Sequence, residues 1–249
     1  LPVDDRSESF SILIFLRTIS RCSGSCLEFW PTYSSTNGAA RNNANKILTD
    51  NNLRTAEKIV EDYIANEADP KKMDRPTLLQ VLNVCNVGDG IVGYVDTESK
   101  AELVSEYLAL PEVRCCFPAE VLFMWGRKPD KSFNNMYMLY AIYDADADGE
   151  APLDGSVVKD ARANYSQHGA NAEVSITMND EGSRKWADLT EVNIGNNIAM
   201  VINGRVYSAP RVNEKIECGL STITSDFDME EAQILANILK SGDMPMPMS

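Results

Sequence analysis

The acidic run from Asp144 to Gly149 places carboxylates at its first, third and fifth positions, Asp144, Asp146 and Asp148, and glycine at its sixth. With that spacing a calcium loop points alternate oxygen ligands at one hard cation. The twelfth position is Gly155, so the bidentate carboxylate that closes such a loop is missing. Asp144, Asp146 and Asp148 therefore stand only as a weak calcium candidate against the plainer reading of a solvated acidic loop. No resident metal and no other cofactor is expected.

His168 is the only histidine, and Gly169 follows it. A general base needs a nucleophile and an orienting group within reach. The chain carries no G-x-S-x-G elbow, and His168 reads as a residue at a helix end. The six cysteines, Cys22, Cys26, Cys85, Cys115, Cys116 and Cys218, offer close pairs only at 22/26 and 115/116. No second pair with a histidine completes a zinc pattern, so they are expected as buried, small apolar side chains. Trp30, Trp125 and Trp186, with the tail Met244-Pro-Met-Pro-Met248, could line an apolar groove for unfolded chains, because methionine adapts to varied partners. Core packing is the default for the tryptophans. No catalytic residue is assigned, no substrate-binding residue can be named, and no enzyme is expected.

The elements that would carry these residues follow from composition and periodicity. The chain has 249 residues, 44% hydrophobic and 24% charged, enough for two subdomains with apolar cores. Net charge is −14 and the Lys and Arg residues are scattered, which argues against a nucleic-acid partner. The apolar run Ile12–Leu16 falls far short of the roughly 20 residues that span a bilayer.

Leu27–Trp30 alternates weakly and stops at Pro31, as a strand end would. Thr55–Ile64 places Ala56, Ile59, Val60, Tyr63 and Ile64 on one helical face. Val87–Gly93 is expected as a turn between short elements; it lacks the Lys-Ser/Thr of a phosphate loop. Phe117–Gly126 and Tyr137–Tyr143 read as antiparallel strands. Further on, Asp154 or Ser156 is expected to cap a helix with Val157, Val158, Ala161 and Tyr165 on its apolar face. A strand at Val174–Met178 and a helix from Asn179 carrying Trp186 and Leu189 come next. Ile198–Ile202, Asn203-Gly204 and Arg205–Tyr207 form a hairpin whose Asn-Gly pair suits a primed turn. A strand near Ser221–Thr224 and a helix Met229–Lys240 capped by Asp228 close the series. The order is α-β-α-β-β-β-α, an α+β fold with helices on one face of a largely antiparallel sheet.

Several segments in that region also resemble SecD in order and spacing: Pro152–Gly155, Asp160-Ala-Arg162, Asn179–Ser183, Leu189-Thr190, Asn193-Ile-Gly195, Ile198–Pro210, Ile216–Gly219, Glu231-Ala232 and Leu239–Gly242. Upstream, Leu27–Tyr33 and Phe117–Gly126 look like the base of the same domain in Bacteroidetes-type SecDF fusions. The chain departs from the family at Val3, where Leu-Pro-Gly is usual, and at Asn203, where Asp is common.

The resemblance implies a base subdomain split between 1–34 and 117–151, a mostly helical insertion at 35–116, a head subdomain at 152–242, and a linker at 243–249 leading to a membrane span. It implies a periplasmic domain of an inner-membrane protein, the accessory subunit of the Sec translocase. In that role the domain would bind unfolded preprotein transiently and assist late export steps driven by the proton-motive force, with SecF and the SecYEG translocon as partners. The proton-carrying residues would lie in the spans. The alternative is a free-standing periplasmic binding module of unrelated function.

Overall fold

A computed structural model describes residues 27–33, 50–67, 74–88, 90–165 and 172–241. The chain divides into two compact units, one containing Tyr33–Gly149 and the other Arg17–Thr32 with Glu150–Ser249.

The first unit holds helices α1 (Asp50–Ala65), α2 (Leu78–Val81), α3 (Glu98–Leu108) and α4 (Pro111–Arg114), and strands β2 (Asn83–Gly88), β3 (Ile91–Val95), β4 (Val121–Gly126) and β5 (Tyr137–Tyr143). These strands lie in the order β2-β3-β5-β4, each neighbour antiparallel. Leu53, Ala56, Val60 and Ile64 recur every three or four residues along α1 and are buried, while Ile59 and Tyr63 pack half-buried on the same core. The Glu57 carboxylate accepts from the Thr77 hydroxyl and from the Leu79 N–H at 2.9 Å, satisfying a donor at the start of α2. Arg114 donates to the carbonyls of Pro118, Ala119 and Val121, each at 2.8 Å, and so fixes the turn into β4.

The stretch before Phe117, expected to be mostly helical, also contains the β2–β3 hairpin. Gly88, Gly90 and Gly93 do fall at the spacing of a dinucleotide loop, but here they join two antiparallel strands rather than a strand and a helix. Gly93 is needed for packing: a Cβ there would lie 2.7 Å from Leu82 Cδ1.

The second unit holds β1 (Leu27–Pro31), β6 (Leu153–Asp154), β7 (Val158–Tyr165), β8 (Ala172–Met178), α5 (Asp180–Val192), β9 (Ile198–Ile202), β10 (Arg205–Ser208), β11 (Leu220–Phe227) and α6 (Met229–Ser241). Four of its strands run in the order β10-β9-β1-β6, and a separate three-stranded sheet has the order β11-β8-β7. Every residue of β9 is buried, which explains why its sequence is a continuous apolar run. The hairpin turn has φ of 52° at Asn203 and 72° at Gly204, the left-handed pair its residues allow.

The expected helix over 157–165 is a strand. Asp154 does cap a turn, its Oδ1 accepting from Ser156 N at 2.9 Å, but only one 3-10 turn follows (Gly155–Val157). Val158–Tyr165 then pairs with β8 in the register Ala161↔Ile176 and Ala163↔Val174. Apolar positions spaced by three and four satisfied a helical reading. Lone Val, Asp and Asn residues are weak helix formers, so a ladder to a distant strand decides the matter. From β7 onward the order is therefore β-β-α-β-β-β-α, still α+β.

Helix α6 contributes Ala232, Leu235, Ala236 and Leu239 to a core that also holds Ala161, Ala172, Val174 and Ile176. Small side chains on both helix and sheet permit close approach. Ala236→Leu forces methylenes into a site 1% exposed, and a loss of about 1–3 kcal/mol in urea unfolding is expected.

Candidate functional site

The three aspartates of the acidic loop do not converge. Asp144 is buried, and its Oδ2 accepts the Gly149 N–H at 2.7 Å while its own N–H donates to Glu120 O at 2.8 Å. Asp146 and Asp148 are exposed. Among the described residues no three Asp, Glu, His or Cys side chains gather in a geometry that could hold a metal. The Asp144 carboxylate is turned inward to shape its own loop, where Ala147 and Gly149 adopt φ of 53° and 76°.

Burial raises the Asp144 pKa above the ordinary carboxylate range, and the Gly149 N–H pulls the other way. A raised carboxyl binds its proton more readily in the folded chain, so its contribution is complete below the unfolded pKa of roughly 4 and is lost as pH rises through the folded value. Asp144→Asn keeps an oxygen for Gly149 and removes the titration. Relative to this variant, the wild-type chain is expected to lose stability as pH rises across that window, measured by urea midpoints.

The tryptophans are core residues: Trp30, Trp125 and Trp186 are 0%, 6% and 3% exposed. Trp125 Nε1 donates to Ser105 Oγ at 2.8 Å and Trp30 Nε1 to Glu28 Oε2 at 3.0 Å. The Trp186 ring sits 5.0 Å from the Phe29 ring. None of them lines a groove.

The cysteines depart from expectation. Cys115 and Cys218 are exposed free thiols, and Cys85 and Cys116 are half-buried. At the end of the short helix α4, Val113 is buried and Cys116 packs partly buried against the same core, while Cys115 is exposed. Cys218 stands in a loop beside Gly219. Cys22, Cys26, His168 and the methionine tail lie outside the described residues.

Sequence reasoning missed the roles of Thr190, Asn193-Ile-Gly195 and Asn197. Buried Thr190 donates its hydroxyl to Trp186 O at 2.8 Å and accepts from Ile216 N at 3.0 Å. Gly195 N donates to Val212 O and Val212 N to Asn196 O, both at 2.8 Å, while Asn197 Nδ2 reaches Ala209 O at 2.6 Å. Lys215 adds an ion pair to Glu191 at 3.0 Å. Together they pin the segment from Ser208 to Gly219 across the end of α5. Buried polar groups need partners, and this segment supplies them. The only sequence signal was the polar run itself, which reads equally well as a loop.

What faces outward on the three-stranded sheet is polar apart from the exposed Leu220. β8 alternates buried Ala172, Val174, Ile176 and Met178 with half-buried Glu173, Ser175 and Thr177. Across the strands these form rows with Asn164 and Thr224, Arg162 and Thr222, and Asp160 and Leu220. Asn164 Nδ2 donates to Ser175 Oγ at 2.9 Å. Asp160 accepts from Arg162 Nε and pairs with Lys240 of α6, each at 2.8 Å, and Lys240 first and Arg162 with it hold its carboxyl below the usual range. At the far end of β7, Tyr165 is 69% exposed. Tyr165 pairs with Ala172 and so belongs to the opposite face; the outward surface has hydrogen-bonding groups but no nucleophile paired with a base.

The family model described as SecDF, P1 head subdomain, matches residues 144–246. All of β7 to α6, with the pinned segment and the polar sheet face, falls inside that match. The protein translocase subunit SecD of Rhodothermus marinus is 34% identical over 197 residues, covering 78% of this chain and 30% of that protein. SecD of Acidaminococcus fermentans is 40% identical over 154 residues, covering 62% and 33%. The chain thus spans a third or less of the length of these curated relatives. A solved structure of a membrane component SecDF that enhances protein export aligns over 89% of this chain and 96% of that one, at 18% identity and a TM-score of 0.37.

Proposed function

We propose that this chain is the first periplasmic domain of a SecD or SecDF accessory subunit of the Sec translocase, and that it binds unfolded preprotein transiently during late, proton-motive-force-driven export. The match of residues 144–246 to the SecDF P1 head carries the reading. The outward sheet face adds support, being rich in hydrogen-bonding groups and free of any catalytic constellation among the described residues. In this reading 152–242 act as the head, 1–34 and 117–151 as the base, 35–116 as an insertion, and 243–249 lead toward a membrane span. Among the described residues no helix is long and apolar enough to cross a membrane. SecF, the SecYEG channel and the membrane would be engaged by the full-length protein, and proton transfer would belong to its spans, leaving this domain without catalysis.

Photo-crosslinking tests it. An unfolded, apolar polypeptide should label the chain, and a folded protein of equal size and charge should not. Equal labelling by both would remove preprotein binding from the reading.

A further inference from the structure

Strand β7 ends the three-stranded sheet and, among the described residues, pairs only with β8. In an antiparallel pair alternate residues turn their N–H and C=O groups away from the partner. The Val158 N–H is already taken by Gly155 O, but from Asp160 to Tyr165 no outward group bonds to another backbone group among the described residues. A bulge between Val158 and Asp160 interrupts the ladder at its start, and from Asp160 to Tyr165 the register is unbroken. The edge is also held in place. Asp160 ties Arg162 to Lys240 of α6, and Ala161 packs in one core with Ala232 and Ala236. The side chains of Lys159, Arg162, Asn164 and Tyr165 along it are exposed.

We propose that β7 is the docking edge for substrate, and that an unfolded polypeptide binds by adding to it as a further strand. This rests on the preprotein-binding reading above and names its mode. A translocase must accept chains that share no sequence, and what all of them share is the backbone. A row of outward N–H and C=O groups complements another extended backbone and nothing else of that shape. Tyr165 adds an aromatic surface whose contact with passing side chains is indifferent to their identity.

The test uses an eight-residue unstructured apolar peptide and two analogues, N-methylated at the odd or at the even amides. Methylation deletes N–H donors and leaves the side chains unchanged. Titrated against the whole chain, the parent peptide is expected to bind and one analogue to match it. The other analogue, having lost several backbone bonds, should weaken roughly tenfold or more. Hydrogen exchange should show new protection at alternate amides between Asp160 and Tyr165.

Equal binding of parent and both analogues, or protection confined to other strands, overturns strand addition and leaves preprotein binding intact. Failure of the parent peptide to bind overturns the preprotein reading itself, and this inference with it. Protection of the same amides without peptide, accompanied by dimerisation in sedimentation, assigns the edge to a second copy and also overturns the proposal.

Discussion

Gly219→Ala is expected to cost about 2–5 kcal/mol of stability, combining a strained backbone with overpacking. Gly219 has φ of +61°, in the left-handed region. A Cβ there would stand 1.9 Å from Ser183 Oγ, 2.8 Å from Ser183 Cβ and 3.2 Å from Ser183 Cα. The hydroxyl alone could rotate away, but Cβ and Cα belong to the first turn of α5. That turn is itself pinned, since Ser183 N and Oγ both donate to Asn179 O at 2.8 Å and Asn179 Oδ1 accepts from Gly182 N at 2.8 Å. On the other side, Gly219 O accepts from Met178 N at 2.9 Å, so the loop cannot retreat without releasing β8. Urea unfolding should show the loss. Adding Ser183→Gly should recover the steric part and not the φ part, a non-additivity that a double-mutant cycle reads directly. Full additivity of the two changes would show that the close approach is not what makes glycine necessary.

Phe29→Ala is expected to cost about 3–5 kcal/mol, the range for emptying a buried aromatic site. Phe29 is 0% exposed and lies on β1 between Met200 of β9 and Leu153 of β6. Its ring meets the Trp186 ring at 5.0 Å with a 56° tilt, so its loss also undercuts α5. Trp186→Phe is the control. Trp186 Nε1 is buried without a hydrogen-bond partner, so that substitution removes an unsatisfied donor while keeping an aromatic ring. It should change stability much less than Phe29→Ala. A comparable loss in both would mean that ring volume at position 186, and not the Phe29 contact, governs this core.

Much of the head was legible because its signals are local. Asn179 caps α5 through its own side chain, and Asp228 and Glu231 exchange bonds at the start of α6, with Glu231 N reaching Asp228 Oδ1 at 2.7 Å. The alternation of β8 and the Asn203-Gly204 turn likewise need only neighbouring residues to be read. β7 failed because its pattern fits two periods and its partner lies beyond a loop. The cysteines failed because residue type predicts average burial, and the short helix α4 turns Cys115 outward while Val113 takes the core. In the acidic loop the sequence did not show that Asp144 is buried, with its carboxylate accepting from Gly149 N, while Asp146 and Asp148 are exposed.

By itself, then, the sequence determined the α+β class, the caps and turns, the apolar faces, and the ordered segments by which residues 144–246 match the SecDF P1 head model. Tertiary structure alone decided that β1 pairs with β9 across Leu27↔Ile202, that Thr190 holds Ile216, and that β7 is a strand whose partner among the described residues is β8. The reason is physical. Caps and turns are closed by atoms a few residues apart, whereas a strand's identity, its register and the exposure of its edge depend on hydrogen-bond partners that the chain brings together only after it has folded.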